Sequence, residues 1–192
     1  MELPCRKQIR LKGYDCSSNG AYFITICTQN NLKILGDVGD GFPVPCAPPS
    51  KNSPVPFVKL NTFGEIVGKY IQKIPDKYSA VTVDKYIIMP NHVHMLIMIL
   101  NKTESNRAGS HEDHGTGNPS PTVGTIVGWF KYQTTKIINA HNNDAGTKIW
   151  QRSYHDHIIR NETEYSAIWE YIDENPAKWS EDKYYCGKNV FQ

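Results

Sequence analysis

The spacing of apolar residues changes period along the chain, and the changes mark out seven elements. Ala21 to Thr28 (AYFITICT) is rich in aromatic and β-branched residues and follows the turn-like Ser17-Ser18-Asn19-Gly20, which predicts a first strand. Gly36 to Pro56 repeats Gly and Pro with few large apolar residues, the composition of an irregular excursion. From Leu60, apolar positions at Phe63, Ile66, Val67, Tyr70, Ile71 and Ile74 recur at helical spacing and close at Pro75. Val81 to Ile88 and His92 to Leu100 predict two strands joined by the turn Met89-Pro90-Asn91. Asn101 to Pro121 is a second polar, Gly/Ser/Asn-rich insertion, and Val123, Ile126, Val127, Phe130, Ile137 and Ile138 predict a second helix from Thr122. Ile149 to Arg160 reads as a further strand. A last helix follows, capped by Asn161 with Glu164 in capping-box position and stopped by Pro176. The order β, α, β, β, α, β, α predicts an α+β fold of one domain over residues 1–192. It is an antiparallel sheet with helices packed on it, a ferredoxin-like sandwich with irregular insertions near 36–56 and 101–121.

The strand that opens at His92 carries the most specific chemistry. In the run Met89-Pro90-Asn91-His92-Val93-His94-Met95, successive side chains alternate between faces. His92 and His94 therefore share one face, while Val93 and Met95 anchor the other. Two imidazoles on one face suit a metal site, which needs at least one further protein group and an open position. On the last helix Ile168, Tyr171, Ile172 and Asn175 lie three, four and seven residues apart, which puts Tyr171 and Asn175 one turn apart on one face. If that face meets the sheet beside the histidines, Asn175 supplies a third, oxygen ligand and Tyr171 reaches a substrate bound to the metal.

Composition narrows the class without deciding it. A formal charge of +2 over 192 residues, with a pI near 8.2, permits a nucleic-acid partner but does not by itself argue for one. Cys5, Cys16, Cys27, Cys46 and Cys186 are scattered, odd in number and without a CxxC pair, which suits reduced thiols better than a disulfide framework. No stretch approaches the roughly 20 apolar residues of a membrane span, and the charged N-terminus lacks a signal sequence, so a soluble intracellular protein with no membrane partner is expected.

Three blocks now stand in order: Met89-Pro90-Asn91-His92-Val93-His94, the stretch Trp150-Gln151-Arg152-Ser153-Tyr154-His155-Asp156-His157-Ile158-Ile159-Arg160, and Tyr171-Ile172-Asp173-Glu174-Asn175-Pro176. Together they resemble the REP-associated tyrosine transposases of the IS200/IS605-like group, single-tyrosine HUH enzymes. The resemblance covers nearly the whole chain outside the two insertions. It implies a bacterial, cytoplasmic, nucleoid-associated endonuclease and strand transferase acting on single-stranded DNA, commonly beside a hairpin or repeat. It further implies one divalent ion, Mg²⁺ or Mn²⁺, on His92, His94 and Asn175, with Tyr171 as the nucleophile that forms a 5′-phosphotyrosine and frees a 3′ hydroxyl. Symmetric dimers occur in the wider group, which leaves a homodimer open. On position alone Lys131, Lys136, Arg152 and Arg160 are candidate phosphate contacts, and His157 is a candidate DNA contact or neighbour of the ligands.

Other readings of the same residues stay open. Tyr154, beside the second pair His155-Asp156-His157, is the alternative nucleophile; most of the 11 tyrosines must be core or interface residues. His111, His114 and His141 are simplest as solvent-exposed. A histidine-triad nucleotide hydrolase also places alternating histidines on a strand, but the position two beyond His94 is Leu96. The remaining rival is a catalytically silent DNA-binding regulator of the same fold.

Overall fold

The computed structural model describes residues 19–39, 57–100, 121–144 and 146–185. The elements run β1 (Gly20–Cys27), β2 (Gly36–Gly39), β3 (Phe57–Leu60), α1 (Thr62–Gln72), α2 (Ile74–Lys77), β4 (Val81–Met89), β5 (His92–Ile99), α3 (Val123–His141), β6 (His155–Ile159) and α4 (Glu162–Glu174). Four of the strands form one sheet in the order β4-β5-β1-β6, with every neighbour antiparallel. Without the β2/β3 ribbon, the four-residue α2 and α4, the path β1-α1-β4-β5-α3-β6 is the expected ferredoxin-like βαββαβ arrangement.

Strand alternation divides the sheet into two unequal faces. Tyr22, Ile24 and Ile26 of β1 with Val93, Met95 and Ile97 of β5 pack against Val67 and Ile71 of α1 and Phe130 and Ile138 of α3. On the reverse face Ala21, Leu96 and Ile159 meet Ile172 of α4. A large apolar side chain taken out of water contributes about 1.5–3 kcal/mol. With 20 buried residues in the first cluster and four in the second, the α1/α3 face holds the fold together, and the α4 face is left to accommodate polar groups.

Gly36–Gly39 does not belong to an irregular excursion; it pairs with Phe57–Leu60, Gly36 opposite Leu60. With two glycines in four residues this strand has no alternation to read, and its partner lies across positions 40–56, outside the described residues. Leu60 consequently ends a strand, and helix α1 begins at Thr62, capped by the Asn61 carboxamide, which accepts from Phe63 N at 3.0 Å and Gly64 N at 3.1 Å. Pro75 does not stop this helix. It sits in the first turn of α2, where its missing N–H costs nothing. The first turn of α1 approaches the Leu35 carbonyl so closely that a Cβ on Gly64 would lie 2.2 Å from that oxygen. Gly64→Ala is expected to cost about 1–3 kcal/mol by overpacking; a urea midpoint equal to wild type would show that the turn moves aside freely.

The long strand expected over Ile149 to Arg160 is broken. Trp150 bridges Thr28, and pairing resumes only at His155 opposite Thr25, so the four residues 151–154 face the two residues 26–27. The bulge has a visible cause. The Lys131 ammonium donates to the carbonyls of Gln151 (2.8 Å) and Ser153 (2.9 Å), with Arg152 O at 3.5 Å, so these carbonyls turn toward α3 instead of a neighbouring strand. The Trp150 indole N–H, donated to Thr134 Oγ1 at 2.8 Å, fixes the start of the bulge. The insertion near 101–121 lies almost entirely outside the described residues, as do His111, His114 and the cysteines other than Cys27, a buried free thiol. Among the described residues no helix is long and apolar enough to cross a membrane.

Candidate functional site

His92 and His94 emerge from the start of β5 on the α4 face, opposite Cys27 and Thr25 of β1. They are 0% and 1% exposed, and their Nε2 atoms lie 3.0 Å apart. Each ring is held from behind. The Asn91 carboxamide donates to Asn31 O (3.2 Å) and Tyr184 O (2.8 Å), so its Oδ1 must accept from His92 Nδ1 at 2.9 Å. The neutral His92 ring therefore carries its proton on Nδ1 and presents a lone pair at Nε2. His94 Nδ1 bonds Thr25 Oγ1 at 2.8 Å, and its ring stacks on Phe23 with centroids 5.0 Å apart.

The last helix brings its side chains to the same place. Tyr171 Oη stands 3.3 Å from His94 Nε2, and the Tyr171 ring meets those of His94 (5.3 Å) and Phe23 (5.9 Å). Asn175, at the C-cap of α4, is 3% exposed. Its Nδ2 donates to Asp182 Oδ2 at 3.3 Å, and its Oδ1 is buried without a hydrogen-bond partner. All four residues come from one chain. An open cleft lined by Phe23, Ile168, Tyr171, Asn175 and Lys183 leads from solvent to His94.

Sequence reasoning missed the segment after α4. Trp179, Asp182 and Tyr184 fold back over the histidines, with the Tyr184 and Trp179 rings 4.7 and 5.9 Å from that of His92. An Asp182 carboxylate oxygen and one ring nitrogen of each histidine all lie within 4.8 Å of one another. Lys183 adds a cation at the cleft. The only signal was an aspartate seven residues beyond Asn175 between two aromatics, which has no period to recognise.

The other candidates separate by location. Tyr154 packs against the α1/α3 core on the opposite side of the sheet, beneath the Lys131 ammonium at 5.6 Å from its ring. Lys131 is a clamp on the bulge, with its pKa pushed down to about 8 by burial. Lys136 and Arg152 are exposed along one groove with Tyr132 and Lys148. His157 pairs with Glu164 at 2.5 Å, and Glu164 also accepts from Arg160 N at 2.9 Å, so the expected capping box closes one residue early. The Arg160 side chain is exposed, as is His141 at the end of α3.

Electrostatics favour neutral imidazoles and a protonated phenol. Burial lowers His92 to about 4 against the opposing pull of Asp182, and burial, then the neighbouring His92, holds His94 well below the ordinary 6.5. Unfolding returns both rings to ordinary values, so the unfolded chain binds more protons as pH falls from about 6.5 toward 4. Chelator-treated protein is therefore expected to lose stability over that window and to gain nothing from these rings above it. Urea midpoints at several pH values check this; an acid limb unchanged in His92→Gln would assign the loss to other groups. The Tyr171 pKa is pushed up to about 12, first by burial and next by the Asp182 carboxylate.

No protein-family model matches the chain. A protein of Haemophilus influenzae described only as uncharacterized is 35% identical over 187 residues, which cover 94% of this chain and 93% of that one. The chain belongs to the same family as that protein. Among solved structures, a REP-associated tyrosine transposase bound to a REP hairpin aligns with a TM-score of 0.52 at 17% identity, over 95% of this chain and 77% of that one. A Deinococcus radiodurans protein provisionally assigned as a transposase aligns at 0.45 and 14% identity, over 86% and 95% of the two chains. The first likeness shows that this chain shares that structure's fold, a four-stranded antiparallel sheet with helices.

Proposed function

We propose that this chain is a divalent-metal-dependent HUH-type endonuclease and strand transferase for single-stranded DNA, with Tyr171 as nucleophile and His92, His94 and Asn175 as ion-binding groups. The observation that carries the reading is the convergence of two imidazole Nε2 atoms 3.0 Å apart, a buried amide oxygen without a hydrogen-bond partner and a phenol at one cleft. A buried acceptor without a donor is costly, and a cation satisfies several at once. The 3.0 Å separation of the two imidazole nitrogens is short enough for both to hold one ion. A bound divalent ion supplies positive charge beside the scissile phosphate and favours the ionised phenol.

The chain's own groups do the rest. Thr25 and Asn91 orient the imidazoles, Phe23 and His94 fix the Tyr171 ring, and the α4 face keeps Oη at the cleft. Attack of Oη on phosphorus forms the 5′-phosphotyrosine bond and breaks the P–O bond to the 3′ oxygen, which leaves as a hydroxyl; a later 3′ hydroxyl reverses the exchange without ATP. The fold shared with a protein bound to a REP hairpin supports hairpin-forming DNA as the substrate class. Lys136, Arg152 and Lys183 are the exposed cations we assign to phosphates. Incubation with labelled single-stranded hairpin DNA and Mn²⁺, then denaturing electrophoresis, should show one covalent adduct that a chelator prevents. Retarded DNA on native gels with no adduct would indicate the silent regulator instead.

A further inference from the structure

We propose that Asp182 is a fourth protein ligand of the divalent ion, delivered by the segment after α4, so that the cation is held by two imidazole nitrogens, an amide oxygen and a carboxylate oxygen. The inference rests on the ion-binding reading of His92, His94 and Asn175 given above.

Three observations carry it. Among the described residues, Asp182 brings a carboxylate oxygen within 4.8 Å of a nitrogen on both histidines. Asn175 turns its Nδ2 toward Asp182 Oδ2 at 3.3 Å, and that choice leaves Asn175 Oδ1 buried and unpaired. The pocket thus presents two Nε2 atoms, a carbonyl oxygen and a carboxylate to one another. Of these, Asn175 Oδ1 is buried without a donor, which is costly, and a cation held between it and the carboxylate would satisfy it.

The third observation is how the carboxylate is held. Asp182 Oδ1 accepts from Tyr184 N at 2.6 Å, and Tyr184 O accepts from the Asn91 carboxamide that orients His92. His92, Asn91, Tyr184, Asp182 and Asn175 are therefore linked in one chain of hydrogen bonds. A merely structural turn would explain the bond to Tyr184 N, but not the carboxylate's approach to both imidazoles or the orphaned amide oxygen. In chemical terms, a carboxylate and a carbonyl added to two imidazoles shift the set toward harder cations such as Mn²⁺ and leave a singly positive centre.

The test is Mn²⁺ binding to the full chain, read from the loss of the free-ion electron paramagnetic resonance signal. Asp182→Asn keeps an oxygen for Tyr184 N and removes the charge. It should weaken binding at least about tenfold, the loss that even an outer partner of a ligand produces, while His92→Ala should abolish it. Wild-type affinity in Asp182→Asn, with binding lost in His92→Ala, overturns this inference and leaves the three-ligand reading intact. A wild-type chain that takes up no Mn²⁺ overturns both. Should Asp182→Asn fail to fold, carbon-detected spectra of wild-type protein labelled at aspartate Cγ answer the question: the Asp182 resonance should move on Mg²⁺ addition, and an unmoved signal overturns the assignment.

Discussion

Tyr171→Phe is expected to eliminate the covalent protein–DNA adduct and to lower cleavage by at least about 10⁴-fold, in line with removal of other enzymic nucleophiles. The substitution removes one oxygen. The phenyl ring retains its edge contact with Phe23 and its contact with His94, and the polar contacts given up, to His94 at a long 3.3 Å and to Asn175 and Asp182, sit on a side chain that is 39% exposed. Stability should therefore change by less than about 1 kcal/mol. Hairpin affinity should be close to wild type as well, because the imidazoles and surface cations stay in place. An adduct that persists in Tyr171→Phe and disappears in Tyr154→Phe would move the role to Tyr154, against its position in the opposite core.

Lys131→Met should destabilise the fold by about 2–4 kcal/mol, the largest effect expected of any single basic residue among the described residues. The ammonium makes two short charge-assisted bonds to main-chain carbonyls of the bulge, and net values for hydrogen bonds to charged groups run at about 1.5–3 kcal/mol each. Methionine fills the space of the stem but offers no donor, so Gln151 O and Ser153 O must find water or the bulge must reorganise. Lys136→Ala and Arg152→Ala provide the contrast. Both side chains are exposed, so stability should stay within about 0.5 kcal/mol. Hairpin affinity should fall in each, and the slope of log affinity against log salt should shrink by about one. A stable Lys131→Met protein with the same weakened, less salt-dependent binding would return Lys131 to the DNA surface.

How much of this was legible in the sequence depended on the range of the interactions. Alternation around Val93 and Met95 was enough to place His92 and His94 together, and helical spacing with the Asn161 cap was enough to align Tyr171 with Asn175. Both are local periodicities, each reinforced by a core on one side. That the two elements meet depends on the packing of α4 through Ile172, and no spacing encodes it. Strand β2 escaped because Gly36 and Gly39 carry no side-chain pattern and its pairing is main-chain only. The carbonyl contacts of Lys131 were not legible because a lysine on a helix looks the same in sequence whether its ammonium meets solvent or three carbonyls 20 to 22 residues away. Asp182 escaped because it lies 90 residues from His92, and what brings it back is Trp179 and Tyr184 packing on an imidazole.

Gathering both imidazoles, the amide and the phenol within one polypeptide sets a limit on stoichiometry. On the proposed reaction each molecule would offer one attacking oxygen at this cleft and would retain a single DNA end until an incoming strand released it. Moving a segment with two ends accordingly takes either two molecules at once or two successive rounds by one, and quenched single-turnover reactions should saturate at one attached strand per polypeptide.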